Sequence, residues 1–206
     1  MKSLHRPDLW CWSEFNAERN LDFHSYFWQR PEGNVAIDPL PLSEHDAAHV
    51  AGLGGVAWIL ISNADHTRAT SALQARWGAK LAAPKGDAQL PVWQDLTVHS
   101  WMAADELLPC GIQCLGVQGS KTPGELAFVL PPGDTLYCGD LVRGQRAGTL
   151  NLLPPTKLSD PRLAAESVRK LANLRKITAV LVGDGWPVFV DGGQALRALA
   201  DRLGGG

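Results

Sequence analysis

Two stretches of the sequence follow one plan, and this internal repeat restricts the possible folds more than any other feature. The first runs from residues 33–38 to the apolar residues 59–61, and the second runs from residues 133–140 to the apolar residues 180–182. Each reads as a hairpin strand that ends in aspartate, then a crossover helix, then a buried strand that ends in a polar loop. Residues 53, 59 and 63 correspond to residues 174, 180 and 184 at an identical spacing. The pattern therefore predicts an α/β fold built from two pseudo-symmetric halves.

The polar loops of the two halves are expected to meet. Ligands of α/β proteins bind beyond the carboxyl ends of such strands, so chemically active side chains in these loops point to one site. The repeat places six of them there: Asp38, Asn63, Asp65, His66, Asp140 and Asp184.

Composition excludes several classes of function. With 206 residues, 45% of them hydrophobic and 19% charged, the chain suits one globular domain over residues 1–206. A net charge of −2 gives no basic surface for nucleic acid, and no apolar run approaches the length of a membrane span. The start of the chain lacks a signal core, and the four cysteines show no CxxC spacing, which favours a reduced, cytoplasmic protein.

The order of the motifs resembles the metallo-β-lactamase superfamily, which includes glyoxalase II and lactonases. The landmarks are Gly-x-x-x-Ile-Asp at 33–38, Asp-His at 65–66, Thr-Pro-Gly-Glu at 122–125, Gly-Asp at 139–140 and a glycine-rich loop after 180–182. Each motif alone is weak, whereas the ordered set is fairly specific. The resemblance implies a four-layer αβ/βα sandwich and a metal-dependent hydrolase site.

The departures from the family pattern fall on the metal ligands. Where the family has His-x-His-x-Asp-His, residues 61–66 place Ile61 and Asn63 at the first two histidine positions. Lys121 stands at the third histidine position and Asp184 at the last, while the bridging aspartate is kept as Asp140. The resemblance thus implies that one of two metal positions is lost.

The other metal position keeps four residues able to bind an ion: Asp65, His66, Asp140 and Asp184. Three carboxylates and one imidazole would suit one Mn²⁺, Fe²⁺ or Mg²⁺ ion, and Zn²⁺ less well, with Asp65 and Lys121 as catalytic groups. The alternative is that no ion binds, because the Lys121 ammonium pairs with Asp140 or Asp184 in its place.

Other interpretations remain open from the sequence. Asp65 could simply cap a helix that starts near residue 67. Asn63, His24 and Trp186 are candidates for the pocket wall, although packing is the more common role for a histidine on a strand. Two functions follow: a hydrolase of unknown substrate with at most one ion, or a non-catalytic protein that binds a small molecule or a protein partner, either of them a possible homodimer.

Overall fold

Two β-sheets face each other in the middle of the protein, in a computed structural model that describes residues 1–204. The first sheet has seven strands in sequence order. They are β1 (Lys2–Ser3), β2 (Leu9–Asn16), β3 (Leu21–Trp28), β4 (Val35–Ile37), β5 (Trp58–Leu60), β6 (Lys80–Pro84) and β7 (Val98–Met102). Strands β1 to β4 are antiparallel, and β4 to β7 run parallel.

The second sheet has the order β13-β10-β9-β8. Its strands are β8 (Gln113–Gly116), β9 (Leu126–Leu130), β10 (Thr135–Cys138) and β13 (Ala179–Val182). A separate hairpin of β11 (Val142–Arg146) and β12 (Thr149–Leu152) follows β10.

Four helices cover the outer faces of the sheets. They are α1 (Glu44–Gly52), α2 (Thr70–Trp77), α3 (Pro161–Ala172) and α4 (Gly192–Arg202). Side chains of α1 and α2 pack on the first sheet, and those of α3 and α4 pack on the second. A third apolar cluster, which includes Ile37, Leu60, Phe128 and Tyr137, fills the space between the sheets. The layers are helix, sheet, sheet, helix, as the resemblance implied.

The repeat is confirmed in the pairing of strands. In the first half, β4 runs parallel to β5 across α1, with Ile37 opposite Leu60. In the second half, β10 runs parallel to β13 across α3, with Tyr137 opposite Leu181. Strands buried on both faces explain the uninterrupted apolar runs in both halves.

Three local predictions need correction. The sequence over residues 97–138 predicts a meander of four strands, but the first of them, expected at 97–100, is β7, which pairs with β6 in the first sheet. The hairpin β11–β12 was not predicted, because its short strands mix apolar with polar and charged residues and show no uninterrupted apolar run. The helix expected from residue 67 begins at Thr70 without a side-chain cap, and Asp65 lies inside a preceding 3-10 turn capped by Asn63. Asp65 is therefore not the helix cap.

No helix within residues 1–204 combines the length and the apolar character that a membrane span requires. The predictions of a cytoplasmic location, of a homodimer and of no nucleic-acid partner stay predictions.

Candidate functional site

A buried aspartate at the end of β4 stands at the centre of the site. Asp38 is fully buried and has a left-handed backbone, with φ of +46°. Its Oδ1 accepts a hydrogen bond from the Ser62 backbone N–H at 2.7 Å. Its Oδ2 accepts from Ser62 Oγ at 2.5 Å, from Tyr137 Oη at 2.5 Å and from His66 Nδ1 at 2.6 Å. Four donors from both halves of the fold thus hold one carboxylate.

His66 joins this carboxylate to a second one. Its Nδ1 faces Asp38, and its Nε2 lies 3.5 Å from Oδ2 of Asp140. Burial alone would lower the pKa of His66, but the carboxylates of Asp140 and Asp38 outweigh burial and raise that pKa to about 10. The ring is therefore charged at neutral pH.

Lys121 continues the alternation of carboxylates and cations toward the surface. Its Nζ donates to Oδ2 of Asp140 at 3.0 Å and lies 3.6 Å from Oδ2 of Asp65. Burial tends to raise the pKa of Asp140, but His66 and Lys121 together lower it well below its ordinary value. We call Asp38, His66, Asp140, Lys121 and Asp65 the charge chain, because negative and positive groups alternate along it.

Asp184 does not join the charge chain. Its carboxylate accepts a hydrogen bond from Arg143 Nη2 at 2.6 Å, and Arg19 Nη1 lies 3.9 Å away. Arg143 is itself buried, at 7% exposure. The structure thus links His66 to Asp140 directly and Asp140 to Asp65 through Lys121, and it pairs Asp184 with a different cation.

Two further buried carboxylates fix the loops that carry the site. Glu125 accepts from the backbone N–H groups of Asp140 and Leu141 at 2.9 and 2.8 Å, and from Ser120 Oγ at 2.5 Å. Burial, and then the nearby Asp140 carboxylate, raise the pKa of Glu125 to about 7. These bonds hold the Lys121 loop against the Asp140 loop.

Asp87 is the second buried carboxylate that fixes the loops of the site. It is fully buried and accepts from Ala64 N–H at 2.9 Å, Thr122 Oγ1 at 2.8 Å and Gly124 N–H at 2.7 Å. Because Ala64 precedes Asp65 and Thr122 follows Lys121, Asp87 fixes the two residues' loops relative to each other.

The three predicted pocket residues have different places. Asn63 is buried and caps the 3-10 turn, with its Oδ1 accepting from the Asp65 N–H at 2.9 Å. The ring of His24 stacks near Tyr26, and burial lowers the pKa of His24. Trp186 is 59% exposed.

A cavity of about 530 Å³ opens beside the charge chain. It is bounded by five charged side chains and two apolar ones: Arg19, Asp65, Lys121, Arg143, Lys157, Leu153 and Pro154. None of the three predicted wall residues belongs to this lining, whereas Asp65 and Lys121 do.

The candidate metal ligands, as they are arranged in this structure, do not fit a divalent ion. A metal needs ligands with free lone pairs and a deprotonated imidazole. Here the Lys121 ammonium pairs with Asp140 and Arg143 pairs with Asp184, so two of the four candidate ligands are already occupied by cations of the protein. Residues 1–204 contain no group of three His, Cys, Asp or Glu side chains placed to hold an ion. The expected ligand set of Asp65, His66, Asp140 and Asp184 does not converge in this arrangement.

Sequence reasoning missed Arg143, Glu125, Asp87 and Tyr137 as parts of the site. A signal existed for Asp87, which follows the buried strand β6 at the same edge of the sheet as Asp65. No such signal existed for Arg143, because its strand was not predicted.

Comparisons with known proteins agree with this architecture. The model of the metallo-β-lactamase superfamily matches residues 1–203. A metallo-β-lactamase from Pontibacter korlensis is 16% identical, with a TM-score of 0.76, over 98% of this chain and 97% of that one. A metallo-β-lactamase from Hirschia baltica is 13% identical, with a TM-score of 0.73, over 96% and 94%.

A metallo-β-lactamase family protein from Thermus thermophilus is 15% identical, with a TM-score of 0.70, over 96% of this chain and 78% of that one. No curated protein matches the sequence. At such identities the structural similarity shows the fold alone. Membership of the family is shown by the family model, which spans nearly the whole chain. The chain belongs to the metallo-β-lactamase superfamily.

Proposed function

We propose that this protein is a non-catalytic member of the superfamily, which binds a small molecule through the former active-site cavity and needs no metal ion to do so. In this proposal the charge chain performs the structural task that ions perform elsewhere in the family, namely to neutralise a buried group of carboxylates. The cavity beside it remains open to a ligand.

The observation that carries the proposal is the position of Lys121. Its ammonium lies 3.0 Å from Asp140 and 3.6 Å from Asp65, two of the residues that a single ion would require. A buried carboxylate such as Asp140, with its side chain 1% exposed, needs a positive partner. The Lys121 ammonium supplies that charge without an added ion.

The hydrolase alternative has the weaker support. It requires Asp65, His66, Asp140 and Asp184 to surround one ion, and therefore requires Arg143 to release Asp184 and Lys121 to withdraw from Asp140. An ion entering beside the Lys121 ammonium would also meet strong repulsion, because two like charges a few Å apart in a poorly solvated site are costly.

Thermal melts with and without a chelator test the proposal. We expect the melting temperature to be the same in EDTA, in metal-free buffer and after addition of Zn²⁺ or Mn²⁺, because no ion contributes to the folded state. A metal that binds the folded chain would raise the melting temperature by mass action. A drop in EDTA that Zn²⁺ or Mn²⁺ reverses would therefore contradict the proposal and restore the single-ion hydrolase.

A further inference from the structure

Charged side chains around the cavity indicate what kind of molecule it takes. Four cations, from Arg19, Lys121, Arg143 and Lys157, face a single carboxylate, that of Asp65. They come from separate segments: the β2–β3 turn, the loop before β9, strand β11 and the 3-10 turn after β12. The fold thus gathers positive charge at one opening in a chain whose net charge is −2.

Not all of this charge is neutralised internally. Lys121 is paired with Asp140 and Asp65, and Arg143 with Asp184. Arg19 is 3.9 Å from the same Asp184 oxygen that Arg143 already contacts at 2.6 Å. Within residues 1–204 Lys157 has no salt bridge, so two cations at the rim have little or no compensation.

Arg143 supplies an independent observation. It is 7% exposed, lines the cavity, and its Nε has no hydrogen-bond partner in the described part of the chain. A guanidinium offers five N–H donors in a planar fork that matches the oxygens of carboxylate and phosphate. Only Nη2 of Arg143 donates to a protein acceptor within residues 1–204, so the other donors of this cavity-lining guanidinium remain for an oxyanion.

We infer that the cavity binds a small, multiply charged oxyanion, in which phosphate or carboxylate groups contact Arg143 from within and Lys157 and Arg19 at the rim. The inference rests on the proposed function, because an ion among the carboxylates would change the charge of the whole site. Leu153 and Pro154 form the apolar part of the wall, against which a short carbon skeleton of the ligand would pack.

The test uses two probes, inorganic pyrophosphate for phosphate groups and citrate for carboxylate groups, titrated calorimetrically into the whole protein in metal-free buffer. Wild type should bind at least one probe, and the preferred probe identifies the anionic group. Binding should weaken as ionic strength rises, because the contacts at the rim are exposed to screening. Lys157→Gln should lower affinity roughly tenfold, the size of one hydrogen bond to a charged group, and Lys157→Gln with Arg19→Gln should lower it further.

Lys176→Gln is the matched control, since this exposed lysine lies just before β13, at the opposite end of the strand from Asp184. It should bind like wild type. Failure of both probes to bind wild type, or equal losses in Lys157→Gln and Lys176→Gln, would overturn the inference. Both rim residues are exposed, so their variants should fold, which circular dichroism checks. If the melting temperature is unaffected by EDTA and neither probe binds, this inference alone is wrong. If EDTA lowers the melting temperature, the proposed function is wrong.

Discussion

Replacing Lys121 with methionine is expected to destabilise the protein by ~3–5 kcal/mol, the usual cost of removing one partner of a buried ion pair. Methionine keeps most of the apolar stem of the side chain and deletes the ammonium group. Asp140, with its side chain 1% exposed, would then have His66 as its sole cationic neighbour among the ion pairs described, at 3.5 Å. Urea unfolding at neutral pH measures the loss directly.

Lys176→Met is the control for the change of chemistry, because Lys176 is exposed and remote from the charge chain. It should change the free energy of unfolding by less than ~0.5 kcal/mol, as surface substitutions usually do. Lys121 would not neutralise Asp140 as proposed if Lys121→Met were as stable as wild type in metal-free buffer, or if its stability depended on an added ion that wild type also binds.

Asp38→Asn is expected to have an effect of similar size, again ~3–5 kcal/mol, because it leaves the charged His66 with one carboxylate instead of two. The amide also presents an N–H group where Ser62 Oγ, Tyr137 Oη and His66 Nδ1 all donate to the carboxylate. At least one buried donor then loses its acceptor, which adds to the cost.

Asp201→Asn, an exposed position in α4, controls for the loss of a carboxylate in general. If urea unfolding showed Asp38→Asn within ~1 kcal/mol of wild type, a range common for ordinary substitutions, Asp38 would not be the anchor of the charge chain.

The repeat made much of the fold predictable. Period and spacing located both parallel strand pairs and their helices, since buried parallel strands leave uninterrupted apolar runs that are visible in one dimension. Polar loops that follow the carboxyl ends of such strands meet at one edge of the fold, so the sequence also placed Asp65, His66 and Asp140 in one region. The β11–β12 hairpin left no such trace, because its strands are short and mix apolar with polar and charged side chains, the buried Arg143 among them.

The pairing of the site residues was less predictable. Asp184 follows its buried strand as expected, yet it faces Arg143, whose position depends on the unpredicted hairpin. From the sequence, Lys121 could be a catalytic group beside an ion or a cation that pairs with a carboxylate in place of the ion. Only the distances of 3.0 Å to Asp140 and 3.6 Å to Asp65 show which carboxylates it contacts. Asp38 was placed at the right edge, but its four hydrogen bonds depend on loop conformations that periodicity does not encode.

The charged state of His66 links the site to pH. The folded pKa of about 10 lies above the ordinary 6.5, so protonation of His66 stabilises the folded state. This contribution is fully present below the unfolded pKa and is lost as pH rises through about 10. Asp140 behaves in the opposite sense: its pKa is lowered by folding, so its contribution is present above its ordinary pKa and is lost as pH falls through the folded pKa.

The most direct measurement is therefore the protonation state of His66 by ¹⁵N NMR of histidine-labelled protein, with His66→Gln to assign the signal. The account predicts two protonated ring nitrogens at pH 7 to 8, unchanged by EDTA, Zn²⁺ or Mn²⁺, and deprotonation only as pH approaches about 10. A neutral ring at pH 7 whose Nε2 signal shifts on addition of metal and returns with EDTA would show a working metal ligand and would contradict the account.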